Sequence, residues 1–131
     1  MKVRLLLALA ALWVPQAAWA CEDPNDGRAL IHSAAPARLP PGAVIVAVTF
    51  LSTDERALST TGVRARVDRN IYGALPDREI LVRVAEYSSC SHSFSNGHSG
   101  LLVAIPGPVV NGMRTVTAIE ARRGDGYRLL R

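Results

Sequence analysis

Two cysteines and a cluster of serines and histidines hold most of this chain's capacity for chemistry. Cys90 lies in the run Glu86-Tyr-Ser-Ser-Cys-Ser-His-Ser-Phe-Ser-Asn-Gly-His-Ser-Gly100, which also holds His92 and His98; the other cysteine is Cys21. Oxidised, the two thiols make one covalent crosslink. Reduced, Cys90, His92 and His98 form a C-x-H-x5-H set of soft ligands for zinc or copper, with Cys21 as a fourth. The serines at 88, 89, 91, 93, 95 and 99 stand near histidines and raise the question of a hydrolase. No G-x-S-x-G elbow is present, Gly97-His-Ser-Gly100 lacks the required order, and no acid stands out to orient a histidine. A polar turn accounts for the serines, and His32 has no evident partner. Neither catalysis nor a bound cofactor or metal is expected.

The compartment decides between these chemistries. Lys2 and Arg4 precede the ten-residue apolar run Leu5–Val14, and Ala18-Trp19-Ala20 is a small-x-small cleavage site. That is the pattern of an export signal over residues 1–20. Its apolar run falls short of the roughly 20 residues a bilayer span needs, and no later segment reaches that length. The expected destination is therefore the periplasm or the medium, with no membrane span. Two cysteines in an exported chain point to a Cys21–Cys90 disulfide. The alternative is a lipid anchor, with Cys21 acylated and Cys90 free; the residues Ala18 and Trp19 before it fit that pattern poorly.

Removal of the signal changes the balance of the chain. Lys2, its single lysine, and both tryptophans leave with it, and residues 21–131 keep 13 arginines against 11 acids. A surplus of two positive charges is too mild for a nucleic-acid or polybasic membrane surface. Only Phe50, Tyr72, Tyr87, Phe94 and Tyr127 are available for base stacking, and some are needed inside, so nucleic acid is not an expected partner. The 111 mature residues make one domain, of a size at which a crosslink helps.

Hydrophobic patterning outlines the elements. A short helix capped by Asp26 is expected through Ala29, Leu30 and Ile31, ended by Pro36, Pro40 and Pro41. Ala43–Leu51 is apolar on both alternating faces, a strand buried on two sides. After a polar connection, Val63, Ala65 and Val67 alternate with Arg64, Arg66 and Asp68, and the alternation fails at Arg69-Asn70, where a bulge fits. Ile80, Val82 and Val84 mark a third strand, Gly100–Ile105 a fourth closed by Pro106-Gly-Pro108, and Arg114–Ala121 a fifth. Five strands, one or two short helices and no βαβ alternation predict a mainly β fold, a small five-stranded Greek-key barrel of the OB type.

Taken in order, these features resemble the netrin-module and TIMP-like OB-fold superfamily, which includes the tissue inhibitors of metalloproteinases. The resemblance runs from Cys21 to about residue 120. It rests on a cysteine at the mature start, the strand VIVAVTF, Val67-Asp-Arg-Asn-Ile-Tyr-Gly73, and EILVRV leading to Ser88-Ser-Cys90 and GLLVAI. It implies a protein-binding module for another exported protein. In its sharpest form it implies inhibition of a zinc metalloprotease, whose metal is chelated by the α-amine and carbonyl of Cys21. Glu22 would then face the specificity pocket, Cys90 would be the tether, and Ser88 and Ser89 would flank the contact. The chain departs from that pattern in having Asp23 where the inhibitors carry a second cysteine, in having fewer disulfides, and in placing a carboxylate at Glu22.

Overall fold

The structure is a computed structural model and describes residues 28–86, 93–95 and 97–122. Its strands are β1 (Arg28–Ala29), β2 (Ile31–His32), β3 (Val44–Phe50), β4 (Val63–Tyr72), β5 (Glu79–Val84), β6 (Ser99–Val110), β7 (Met113–Ala118) and β8 (Ala121–Arg122). β3 pairs antiparallel with β4 on one side and β6 on the other. β4 pairs antiparallel with β5, β5 parallel with β7, and β7 antiparallel with β6. The circuit β3-β4-β5-β7-β6 returns to β3. It is a closed five-stranded barrel with the Greek-key order of an OB fold, as the patterning predicts.

Alternation decides which side chains fill it. Val44, Val46, Val48 and Phe50 from β3 meet Val63 and Ala65, Ile80, Val82 and Val84, Leu102 and Ala104, and Val116 and Ala118 inside the barrel. β3 is apolar on its second face because that face is covered too. Ala43, Ile45 and Val103 pack outside the barrel with Ala35, Leu39, Leu101 and Ile119. The proline-bearing stretch before β3 supplies Ala35 and Leu39 to this outer cluster, and Ala43 N donates to Pro40 O at 3.1 Å to turn the chain into the strand.

The break in β4 resolves into two bulges. Val48 opposes Val67 and Ala47 opposes Arg69, so Asp68 is unmatched; Val46 opposes Asn70 and Ile45 opposes Tyr72, so Ile71 is unmatched. Each extra residue bends β4 around the barrel. The Asp68 carboxylate accepts bonds from Thr49 Oγ1 at 2.7 Å and Arg66 Nε at 2.8 Å. Those two bonds, the Thr49 one foremost, hold its pKa below the ordinary value. Asn70 closes the next turn, exchanging side-chain bonds with Leu75 O at 3.2 Å and Leu75 N at 3.1 Å.

Two local expectations are corrected and a third is filled in. Ala29, Leu30 and Ile31 are not helical; Leu30 is buried between two short strands, and Ile31 pairs with Leu102. An isolated helix of that length is marginal in water, and two apolar side chains docked on a barrel outweigh it. The fourth strand does not stop at Ile105. β6 runs on to Val110, absorbing Pro106-Gly107-Pro108 in a register shift against β7. β3 begins at Val44, opposite Ala104, so β6 beyond that point has an open edge where a proline forfeits no ladder bond. Thr115 Oγ1 donates to Pro108 O at 2.7 Å, and Arg114 donates to Gly107 O at 3.1 Å and to Asp77 Oδ2 at 2.9 Å. Finally, the connection after β3 carries a 3-10 helix, Glu55–Ser59, capped by Asp54, whose Leu58 is fully buried against the barrel interior.

Candidate functional site

Seven residues flagged in the sequence for chemistry or partner contact, Cys21, Glu22, Ser88, Ser89, Cys90, Ser91 and His92, lie outside the described residues. Their flanking segments do not, and those segments meet. Leu30 N donates to Ser93 O at 2.8 Å, so a residue nine positions after Cys21 touches one three positions after Cys90. β1 pairs with β8, Ala29 opposite Ala121 and Arg28 opposite Arg122, which brings the start of the arginine-rich tail to the same place. β5 runs parallel to β7 with Val84 beside Ala118, so the chain enters the Cys90 loop at that end of the barrel as well.

The docking of the chain start is well specified. Ile31 and His32 pair with Leu102 and Leu101 of β6. His32 is 4% exposed, and its Nε2 lies 2.7 Å from Ile119 O, so this nitrogen carries the proton and donates. Arg28 Nη1 stands 3.9 Å from Glu120 Oε2, a loose ion pair. The returning half of the Cys90 loop is anchored from within. Phe94 meets Phe50 edge to face, with centroids 5.1 Å apart at 82°. Phe50 N donates to His98 O at 2.8 Å, and Gly97 N to Phe94 O at 3.0 Å. Ser93 is fully buried, and its Oγ has no hydrogen-bond partner among the described residues. Its backbone carbonyl rather than its hydroxyl is the useful group.

His98 is exposed, and among the described residues no group of three or more His, Cys, Asp or Glu is placed to hold a metal. No helix among the described residues is long and apolar enough to cross a membrane. Sequence reasoning missed His32, Phe94 and Ile119 as supports of this end. Their partners lie far along the chain, His32 and Ile119 being 87 positions apart, so no local pattern reveals them.

Gly100 shows how close the approach is. Its φ is +149°, and a Cβ there would sit 2.6 Å from Ile31 Cγ2. Gly100→Ala is therefore expected to push β2 off β6 and cost about 1–3 kcal/mol in chemical denaturation. Amide exchange should rise first at residues 30–32, ahead of the barrel strands. Uniform exchange in the variant would mean that the chain start is not docked through this contact.

No protein-family model, no curated protein and no solved structure matches the chain.

Proposed function

We propose that the mature chain is an exported, non-catalytic protein-binding module of TIMP-like type, acting in the periplasm or medium. Its working part is the chain start at Cys21, held by a disulfide to Cys90. The observation that carries this reading is the Leu30 N–Ser93 O bond. Cys21 lies nine positions before Leu30, and Cys90 three before Ser93. At about 3.3 Å per residue, those tethers span any gap a disulfide must close from that junction. The buried Leu30, Ile31 and His32 give the start a fixed base from which to project.

A chain start of this kind is suited to one chemistry above others. A neutral α-amine and the adjacent carbonyl oxygen form a chelate, and zinc in a protease active site keeps a position open for such a ligand. Holding the chelate in advance removes an ordering cost on binding. Glu22, Ser88 and Ser89 would border the contact.

Without Lys2, the Cys21 α-amine is the single primary amine of the mature chain, so an amine-selective acetylating reagent modifies that group alone. The unmodified mature chain is expected to inhibit a zinc endopeptidase of a broad panel, and the acetylated chain, or one with an alanine before Cys21, to lose inhibition entirely. Equal behaviour of free and blocked forms across the panel would sink the chelation reading. Intact mass, read alongside, distinguishes a bridged chain, lighter by two hydrogens, from one made heavier by an acyl anchor.

A further inference from the structure

A groove of about 380 Å³ runs over the outside of β4 and β5 and under the tip of the β6–β7 hairpin. It shares no residue with the chain-start end, and its role is independent of the Cys21 reading. One wall is cationic. Arg64 and Arg83 both line it, on neighbouring strands, with Leu81 directly opposite Arg64 in the β4–β5 register. Arg64 is held by Glu79 at 2.5 Å, whereas Arg83 is exposed and has no acidic partner among the described residues. Two guanidinium groups facing one groove repel each other, and Glu79, which pairs with Arg64 from the side away from Arg83 and does not line the groove, leaves the Arg83 end short of negative charge.

The floor and far wall are apolar. Leu81 leans over Gly62, where a Cβ would come within 2.6 Å of Leu81 Cγ, so the backbone there is stripped to let the leucine lie flat. Val110, 46% exposed at the hairpin tip, and Met113 complete the lining. The hairpin is fixed in place by the Thr115–Pro108 and Arg114–Gly107 bonds, so the far wall is rigid. Among the described residues no aromatic ring lines the groove. Bases bind single-strand sites by stacking on such rings, and a groove without them suits aliphatic side chains instead.

We infer that this groove docks an extended acidic peptide of a partner protein, with a carboxylate on Arg83 and the next aliphatic side chain of the same face on Leu81, Val110 and Met113. The volume lies at the small end of the range for ligand sites and holds a few side chains. A carboxylate is the anion of choice because one free guanidinium, already forked for it, offers a bidentate match.

The experiment is a titration of the ¹⁵N-labelled mature chain with an acetylated, amidated peptide repeating glutamate-serine-leucine-serine, which puts glutamate and leucine two positions apart on one face of an extended chain. Amide shifts are expected at residues 60–64, 81–83 and 110–115. Arg83→Ala should weaken binding about tenfold, and Val110→Asp should weaken it too, with the amide spectrum elsewhere unchanged. The leucine–lysine counterpart should leave the spectrum unmoved. The inference is overturned by no shift, by shifts mapping elsewhere, or by affinity indifferent to Arg83→Ala. It is equally overturned if inorganic phosphate or a sulfated polysaccharide moves the same amides as strongly, since the groove would then be a general anion site.

Discussion

Replacing Cys90 by serine is expected to lower the stability of the mature chain by about 4 kcal/mol relative to the oxidised parent. The proposed bridge would close a loop of about 70 residues, and the loss of loop entropy in the unfolded chain gives that magnitude. Against the roughly 5–15 kcal/mol typical of a whole domain, it is a large share. The control lies within the parent: reduced parent and Cys90→Ser should unfold at the same urea concentration, both well below the oxidised parent. Coincidence of all three curves would mean that no crosslink contributes. The native barrel is expected to persist in every form, because its interior lies elsewhere.

The barrel interior should show the other large effect. Leu102→Ala is expected to cost about 3–4 kcal/mol by urea denaturation, since Leu102 is fully buried and sits at a three-way junction. Its strand neighbours are Val46 of β3 and Ile31 of β2, so the cavity would undercut the barrel and the docked chain start together. Leu101 points the other way, into the small outer cluster, and is only partly buried. Leu101→Ala should cost about 1–2 kcal/mol, because a thin cluster at the surface collapses more easily around a lost side chain. Equal losses at the two positions would contradict the assignment of inner and outer faces to β6.

The barrel itself was legible because its strands obey a period of two. Val63, Ala65, Ile80, Val82 and Val84 announce their inward face, and the two-sided burial of Val44–Phe50 shows in an unbroken apolar run. What the pattern did not show is governed by contacts distant in sequence. Leu30 and Ile31 lie between a residue that can cap a helix, Asp26, and prolines that can end one, and only β6 and the Ser93 carbonyl make them extended. Pro106 and Pro108 read as a strand end because a proline removes a ladder donor, yet an open edge makes that loss harmless. The polar connection after Phe50 concealed Leu58, one apolar residue among charged and hydroxylated neighbours. The meeting of Leu30 with Ser93 accords with the type of fold the sequence resembles, whereas the groove beside Arg83 could not be expected. Arg64, Arg83 and Val110 are scattered on three strands, and each alone reads as an ordinary surface residue.

One covalent link carries the proposed function, and proteolysis without reductant tests it directly. Trypsin cuts the mature chain after arginine, releasing Cys21 in the fragment 21–28 and Cys90 in the fragment 84–114. The predicted result is one species with the summed mass of both fragments less two hydrogens, which separates into the two on reduction. Finding the two fragments apart before any reductant is added, or an acylated 21–28, would contradict it.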